Sequence, residues 1–553
     1  ASGVGVSMTR SGFGTTFASG VPRYLFGDEI KPPTTFASAS GTSYTVDAGY
    51  WRAQPVIAGE VISNPGGATP VDFKTGDAAA VPALPAGTLG QVLTVGPTGL
   101  PVWATPEIRS GTKAAKFPEN TANTQSNLYR TMGVIMTDGS VRAWGQNSNF
   151  RIGDGTEYSR SYPARAAFPP GFPGASKLYY TAQTHTYCID NNGQLWIWGY
   201  NDYGQCANGN TAVQRVPFNA SADSANSIYG KTVTQVALAC GEQNANSSLV
   251  LCSDGTVHSC GYNGYGQLGH GDTTYRSRFV QLPVLSGITQ IVAGREAYQS
   301  CYALKNDGTL YSWGYNGDGQ LGDGTTTNST IAMPRSGGSL SGKTIVKLFA
   351  GYLHAMALDS LGNLHAWGTN QYGQLGNGNY TQQLSPVLAV GTGVADAYLG
   401  GYDYPVTYIK KTDNTLWACG YGDYWANGVS PAGTNTATFT QIPLGGTLVK
   451  AIRGGSGTYN YGAALLTNGQ VKVWGYNGNG ALGVGDTNNR YSVNTMLTGN
   501  RLVTDICALG TGSQQSIALL MDDGQVWQTG YAGGSQLPED DSESTWTPMP
   551  VVF

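Results

Sequence analysis

Apolar and polar residues alternate along this chain in short runs that are joined by tight turns. In NDGTLYSWG, residues 306–314, the side chains fall by turns on the two sides of an extended strand. Asp307-Gly308 supplies the positive-φ positions of a two-residue hairpin loop. The pattern predicts a β-hairpin. The glycine-rich segment after it can be neither helix nor strand, because glycine brings no side chain to pack, and it is expected to be a shaped loop.

Copies of this hairpin recur at a period of about 55 residues. Their fifth position is always Val or Leu, and most are followed by the same glycine loop. A unit of this length with four short strand-like runs is the size of a propeller blade, and we expect the Trp-Gly hairpin to form its inner half. The eight hairpins lie at residues 137–145, 191–199, 253–261, 306–314, 360–368, 412–420, 467–475 and 522–530.

A proline-containing extended segment follows the glycine loop of each interior repeat. Examples are residues 161–166, 215–220 and 384–389, which we expect to be outer strands of their blades. The last such segment, TPMPVVF at 547–553, has no hairpin after it. It is therefore expected to complete the first blade and to fasten the two ends of the ring.

The repeated words WGYNGDGQLGDGT and GYLHAMALDSLGNLHAWGTNQYGQLGNG resemble the repeats of the regulator-of-chromosome-condensation propeller family. The resemblance covers about residues 107–553. It implies an all-β fold, and it leaves seven blades as the alternative to the eight that the hairpins indicate. It also implies two functions to weigh: nucleotide exchange on a small GTPase, and inhibition of cell-wall or β-lactam enzymes by a secreted protein. ASGVGVSMTR at the start lacks the apolar core of the signal peptide that the second would need.

Composition restricts the partners that such a propeller could bind. Charged residues make up 12% of the chain, about half the usual share, and the formal net charge is −4. Lys and Arg form no basic run, which disfavours nucleic acid and anionic membranes as partners. No apolar stretch reaches the ~18 residues of a membrane span, so membrane insertion is not expected. The surface should be uncharged and polar, with many of the 33 tyrosines.

Catalytic and metal-binding patterns are not evident in the sequence. Cys260 and Cys419 stand where other hairpins have Trp, and burial as small hydrophobes explains the eight cysteines better than disulfides do. No cysteine pair has zinc-ligand spacing, and short GxG runs such as 478–480 are periodic loop glycines. We therefore expect no metal, no cofactor and no enzymatic activity.

The first hundred residues lack the repeat. LGQVLTVGPTGLPVWATP, residues 89–106, resembles a short module of bacteriophage tail-fibre proteins, and it contains two strand patterns, QVLTV and PVWAT. The organisation expected from this resemblance is a virion-attachment region at 1–74 of β and irregular structure, an Ala/Pro linker and fibre neck at 75–106, and the propeller at 107–553. An ordinary interdomain linker is the alternative for the neck.

Loops that precede the second strand of each blade should emerge together on one face of the ring. They are rich in Tyr and amides, which suit stacking and hydrogen bonding to a glycan or a protein. The alternative is that these tyrosines merely cap the blade ends, and His354 is interpreted as packing at a strand entry. The receptor-binding candidates are Arg295, Tyr298, Tyr352, His354, Tyr402, Asp403, Tyr404 and Tyr459.

The function expected from both resemblances is a virion appendage, on a tail or head fibre, whose propeller recognises a bacterial surface glycan or protein. The N-terminal region would bind tail or capsid proteins, and the protein would be exposed on the virion surface. Three alternatives stay open: an exchange factor for a small GTPase, a secreted inhibitor of enzymes, and a purely structural decoration of the capsid or tail. The fold alone does not choose among them.

Assembly offers a first test. If Leu93, Val95, Leu100 and Trp103 form an interchain neck, burying them against one another requires three chains. We expect the full chain to be a homotrimer and residues 107–553 alone to be monomeric in multi-angle light scattering. A monomeric full chain at physiological salt would contradict the neck.

Overall fold

The chain divides into two compact units, residues 1–110 and 111–553. In the first unit, the computed structural model describes the backbone of eight strands between residues 5 and 104. It also describes most of the second unit. In the second unit the described residues are 113–118, 131–180, 185–239, 246–294, 299–401, 404–429, 433–454, 459–511, 514–531 and 545–551.

The described strands of the first unit form three small antiparallel sheets, in the orders β1-β5-β2, β4-β3-β6 and β7-β8. The strands are β1 (Gly5–Arg10), β2 (Tyr24–Lys31), β3 (Thr34–Ser38), β4 (Ser43–Val46), β5 (Gly49–Val56), β6 (Ile62–Ser63), β7 (Val92–Val95) and β8 (Pro101–Ala104).

The pair β7-β8 confirms the two strands predicted in the neck segment. Leu93 lies opposite Trp103 in this ladder, and Val95 is the last residue of β7. Leu100 lies outside the described residues. The interchain role of these four residues stays a prediction.

The described residues of the second unit form eight four-stranded antiparallel sheets, so the chain is an eight-bladed, all-β propeller. Blades 1 to 4 contain β9 (Ala114–Lys116), β10 (Thr131–Met136), β11 (Val141–Gly145), β12 (Arg160–Arg165); β13 (Ala175–Tyr180), β14 (His185–Asp190), β15 (Leu195–Gly199), β16 (Gln214–Asn219); β17 (Val233–Ala239), β18 (Ser247–Cys252), β19 (Val257–Gly261), β20 (Arg276–Gln281); β21 (Ile288–Ala293), β22 (Ser300–Lys305), β23 (Leu310–Gly314) and β24 (Ser329–Arg335). Blades 5 to 8 contain β25 (Ile345–Ala350), β26 (His354–Asp359), β27 (Leu364–Gly368), β28 (Gln383–Val390); β29 (Val394–Gly400), β30 (Val406–Lys411), β31 (Leu416–Gly420), β32 (Thr436–Gln441); β33 (Val449–Gly454), β34 (Tyr461–Leu466), β35 (Val471–Gly475), β36 (Arg490–Thr495); β37 (Val503–Thr511), β38 (Gln514–Met521), β39 (Val526–Gly530) and β40 (Thr545–Val551).

Each blade is a meander whose strands pair in chain order. From blade 3 to blade 8, the first strands of neighbouring blades lie against one another, as expected for strands nearest the axis of the ring. The proline-containing segments are fourth strands at the outer edge, as predicted. The Trp-Gly segment is not the inner half of a blade. Residues 306–314 contain the turn and the third strand, which pairs with the second strand, Ser300–Lys305, in the middle of the sheet.

The C-terminal segment does not complete the first blade, so the sequence-based expectation of strand exchange is wrong. β40 pairs with β39 and is the fourth strand of blade 8. Blade 1 needs no donated strand because the short segment β9, which has too few residues to give a visible alternation, already supplies its first strand.

Ring closure instead uses a hydrogen bond that is repeated at every blade junction. The first residue of each first strand donates its N–H to the carbonyl of a turn residue in the preceding blade. Ala114 donates to Gly524 across 3.0 Å in the same way, which joins blade 1 to blade 8. The other seven pairs are Ala175 to Gly139, Val233 to Gly193, Ile288 to Gly255, Ile345 to Gly308, Val394 to Gly362, Val449 to Asn414 and Val503 to Gly469.

The apolar core lies between adjacent blades. One cluster contains Val134 and Trp144 of blade 1, Trp198 of blade 2, and Leu520 and Val551 of blade 8, all of them buried. Burial of this kind covers the face that a single blade would expose. In the described part of the chain the helices are short 3₁₀ turns, such as Asp423–Trp425, and none is long and apolar enough to cross a membrane.

A second repeated bond joins the fourth residue of each third strand to the blade before it. This residue is Trp, Cys or Thr, and its N–H, S–H or O–H donates into the preceding blade. The pairs are Trp144 to Gln528 Oε1, Trp198 to Arg151 O, Cys260 to Gln205 O, Trp313 to Gln267 O, Trp367 to Gln320 O, Cys419 to Gln374 O, Trp474 to Ala426 O and Thr529 to Gly480 O.

The turn glycines provide a test of the blade junctions. Gly308 has φ +85°, and a Cβ there would lie 2.6 Å from Thr344 Cγ2 of the next blade, whereas Gly171 has the same φ with no atom within 4 Å. The left-handed backbone costs both alanine variants about 1 kcal/mol. We expect Gly308→Ala to lower the free energy of unfolding in urea by at least ~1 kcal/mol more than Gly171→Ala. Equal losses would contradict a tight junction.

Candidate functional site

The meander places two sets of connections on one face of the ring. In an antiparallel sheet, the loop between the first and second strands and the loop between the third and fourth strands leave from the same end. The glycine loops are the third-to-fourth connections, so they share a face with the first-to-second loops that carry the predicted candidates. We call this surface the loop face and the opposite one the turn face.

A buried asparagine shapes each regular glycine loop. Asn316 is fully buried; its Oδ1 accepts from the N–H of Leu321 across 2.9 Å, and its Nδ2 donates to the carbonyls of Thr325 and Thr327, each across 3.0 Å. Its amide is therefore satisfied without water. The same bonds to the residues five and nine positions later are made by Asn147, Asn201, Asn263, Asn370 and Asn477.

Tyrosines stand at the first and fourth positions of many glycine loops, counted from the residue after the hairpin glycine. The fourth residue of one loop contacts the first residue of the next. Tyr203 of blade 2 lies 5.1 Å from Tyr262 of blade 3, between ring centroids, and Tyr265 lies 5.3 Å from Tyr315 of blade 4. The tyrosine group of blades 2 to 4 consists of Tyr203, Tyr262, Tyr265, Tyr275 and Tyr315.

Two further groups include a tyrosine from a first-to-second loop. In the triad of blades 5 and 6, Tyr404 lies 4.5 Å from Tyr421 and 5.6 Å from Tyr372. The triad of blades 6 and 7 consists of Tyr424, Tyr459 and Tyr476, and the last two rings stack with centroids 4.6 Å apart. Ten of the eleven tyrosines in the three groups are partly or fully exposed.

Local contacts fix the orientation of these rings. The hydroxyl of Tyr262 folds back over Gly264, where a Cβ would lie 2.2 Å from Oη. Where the loop has Asp instead of Gly, the carboxylate accepts from the hydroxyl, as in Tyr421 Oη to Asp423 Oδ2 at 2.6 Å. Burial, and then the neighbouring Tyr275, raise the pKa of Tyr262 to about 12. The Tyr262 hydroxyl is therefore neutral at physiological pH and can donate or accept a hydrogen bond.

The structure places the predicted receptor-binding residues in different environments. Tyr404 and Tyr459 belong to the two triads, and Tyr352 is half-buried on the same face. His354 is buried, with 1% of its surface exposed and its Nε2 3.3 Å from Thr407 Oγ1, so it cannot contact a receptor; its interpretation as packing is the correct one. Arg295, Tyr298, Tyr402 and Asp403 lie outside the described residues.

The sequence-based interpretation missed the tyrosines of the glycine loops. It treated these loops as connections between blades, and it sought the binding face in the first-to-second loops alone. The signal was present in the repeated words GYNDYGQ at 199–205 and GYNGYGQ at 261–267, which place tyrosines three residues apart. The contacting rings belong to different blades and lie about 55 residues apart in sequence. Such contacts could not be predicted from the sequence of a single loop.

The described residues of the two faces contain neither a cluster of metal ligands nor a reactive thiol. Among the described residues, no group of three or more His, Cys, Asp and Glu could hold a metal ion. Seven cysteines are buried and unpaired, as expected for small core residues, and Cys240 lies outside the described part. Burial raises the pKa of the Cys301 thiol to about 12 and leaves it unreactive.

Comparison with known proteins identifies the class of repeat. The model of the regulator of chromosome condensation (RCC1) repeat matches residues 192–244, 254–297, 307–358 and 362–402, and a second model of this repeat matches 235–267, 288–320 and 345–374. These segments run from the hairpin of blade 2 to the first strand of blade 6. The β-propeller of the second unit thus contains RCC1-like repeats in this part of the ring.

Individual relatives share parts of this propeller. The ultraviolet-B receptor UVR8 of Arabidopsis thaliana is 26% identical over 362 residues, which cover 65% of this chain and 77% of the receptor. The RCC2 homolog of Danio rerio is 36% identical over 135 residues, 24% of this chain and 26% of that protein. Prp20p of Saccharomyces cerevisiae has a similar fold, with a TM-score of 0.51 at 18% identity over 74% of this chain and 94% of the yeast one.

A pair of glycine variants tests whether the loop fixes the orientation of the Tyr262 ring. In Gly264→Ala the new Cβ would displace the Tyr262 ring, whereas Gly337→Ala meets no atom within 4 Å. We expect the ¹⁹F resonance of fluorotyrosine 262 to shift only in Gly264→Ala. The free energies of unfolding should differ by less than ~1 kcal/mol, because a ring near the surface can move. An unshifted resonance would show that the loop does not hold the ring.

Proposed function

We propose that this chain is a non-enzymatic binding protein whose loop face recognises a partner protein. The observation that carries the proposal is the set of three tyrosine groups on that one face. Tyrosine offers a large amphipathic surface with few rotatable bonds, so that ordering it on binding costs little entropy. The ring that packs over Gly264 and the ring that is hydrogen-bonded to Asp423 lose even less conformational entropy on binding.

Similarity to propellers that bind proteins favours a protein over a glycan as the partner. Prp20p is described with its binding properties to Gsp1p and histones, and its propeller has a similar fold. A small GTPase of the Gsp1p kind is therefore the first partner to test, and exchange of its nucleotide is the activity to measure alongside binding. The net charge of −4 and the absence of a basic run in the sequence give no electrostatic support to nucleic-acid binding.

A virion appendage that binds a bacterial surface glycan is the second candidate. The specific observation in its favour is that the segment resembling a tail-fibre module forms the hairpin β7-β8. In this proposal residues 1–74 attach to tail or capsid proteins, residues 75–106 form a trimeric neck, and the loop face stacks sugars on its tyrosines. The similar proteins lend no support to a phage origin, and we rank this function second.

The triad of blades 6 and 7 tests the binding face. We expect the full chain to bind immobilised Gsp1p, and the triple variant Tyr424→Ala, Tyr459→Ala, Tyr476→Ala to lose at least about tenfold in affinity, because each ring contributes stacking area. Tyr229→Ala, an exposed tyrosine on the turn face, is the control and should bind like the wild type.

The two candidate functions predict different binding of these variants to bacterial cells. Adsorption of the labelled chain to bacterial cells that is lost in the triple variant, with no binding to Gsp1p, would favour the virion appendage. Equal binding of Gsp1p by the triple variant and the wild type would move the site off this face. Binding to neither probe would overturn recognition by the tyrosines.

A further inference from the structure

The tyrosine triads repeat at a fixed set of three positions. These positions are the fourth residue of one glycine loop, the first residue of the next glycine loop, and the residue two before the second strand of that next blade. They hold Tyr372, Tyr421 and Tyr404 at one junction. They hold Tyr424, Tyr476 and Tyr459 at the following junction. At the junction of blades 4 and 5 the same positions hold Asp318, Thr369 and Tyr352.

Backbone hydrogen bonds show that these positions are structurally equivalent. The N–H of Asp318 donates to Gln320 Oε1 across 2.8 Å, as that of Tyr372 donates to Gln374 Oε1 across 3.0 Å. The N–H of Thr369 donates to the carbonyl of Leu353 across 2.9 Å. In the next blade Tyr421 donates in the same way to Pro405, across 3.0 Å. A carboxylate and a hydroxyl therefore replace two aromatic rings in an otherwise unchanged frame.

The carboxylate of Asp318 has no partner in the part of the chain that the structure describes. It is half-buried, and no hydrogen bond or ion pair reaches it. Burial raises its pKa above the ordinary 3.8. The loop aspartates at other places are satisfied: Asp423 accepts from Tyr421, and Asp202 accepts from Tyr200 across 2.7 Å.

We propose that Asp318 is the anchor for a cationic side chain, an arginine or a lysine, of the partner protein. The inference rests on the proposed function and names the chemistry of that partner at one junction of the loop face. A carboxylate beside an aromatic position is the arrangement that a guanidinium or ammonium group favours, through a charge-assisted hydrogen bond and stacking on a tyrosine face. Desolvation of an unpaired charge is unfavourable until such a cation arrives.

A pair of isosteric peptides tests the charge of the ligand. The probes are N-acetyl-Gly-Gly-Arg-Gly-Gly-amide and the same peptide with citrulline, which keeps the shape of arginine without its charge. Ligand-observed NMR titration of the full chain should give about tenfold tighter binding of the arginine peptide. Asp318→Asn should abolish this preference. Asp413→Asn changes the net charge equally at an exposed turn of the opposite face and should keep it.

The outcomes separate this inference from the proposed function. An equal affinity of the wild type for both peptides, or an arginine preference that survives Asp318→Asn, overturns the cation anchor. The tyrosine triple variant should still discriminate between the two peptides, because it leaves Asp318 and Tyr352 in place. Loss of Gsp1p binding in that triple variant therefore supports the face even if the Asp318 test fails.

Stability distinguishes an anchor from a structural residue. Because the pKa of Asp318 is raised in the folded state, its contribution to stability is greatest at low pH and falls as the pH rises through that pKa. We expect Asp318→Asn to melt at the same temperature as the wild type or higher at pH 7, and the gap to narrow as the pH falls through the raised pKa towards the ordinary value of 3.8. The arginine preference should fall over the same interval as the carboxylate is protonated. A lower melting temperature for Asp318→Asn at pH 7 would indicate a structural role and overturn the proposal.

Discussion

The hydrogen bond from the fourth residue of each third strand into the preceding blade is the interaction on which the rest of the structure depends. A blade cannot bury its own faces, so it is stable only when the next blade covers it. The buried tryptophans supply the apolar area, and their N–H groups need an acceptor once they leave water. A loop carbonyl of the neighbour supplies that acceptor at seven junctions, and the side-chain Oε1 of Gln528 in β39 supplies it for Trp144. Cys260 and Cys419 keep a donor at this position, which a purely apolar replacement would not.

The same bond links the core to the binding face. The carbonyl of Gln320 accepts from Trp367 Nε1 across 2.7 Å and from the hydroxyl of Tyr302 across 2.6 Å, while its side-chain Oε1 accepts from the N–H of Asp318. One buried residue thus ties the packing of blade 5 to the position of a surface carboxylate. The buried asparagine orders each regular glycine loop from within, and the contact with the adjacent blade adds a second restraint. The rigidity that the tyrosine groups need for recognition therefore comes from both the loop and the assembled ring.

Local features of the fold could be predicted from the sequence, and junctions between repeats could not. Hairpins such as residues 300–314 are predicted from alternation and from the turn glycine, here Gly308, and the outer strands are predicted from proline. The closure was misassigned because β9 is only three residues long, and because a strand at the chain end can pair with either of two blades on sequence pattern alone. The face of the candidate site was predictable from topology. Its principal tyrosines were not, since Tyr372 and Tyr421 meet only after two blades have packed.

Because the blades repeat the same framework, a surface residue that differs from its equivalents in other blades can be recognised. Because each junction is held by the same two hydrogen bonds, residues that make neither bond can change without opening the ring. Asp318 is such a residue: its backbone keeps the bond that Tyr372 makes in the next loop, and its carboxylate makes no hydrogen bond or ion pair with the described residues. A half-buried charge without a partner is a cost to the folded state. The next two blades have tyrosine at the position of Asp318. The presence of a charged residue there is therefore better explained by a ligand that binds to it than by the stability of the fold.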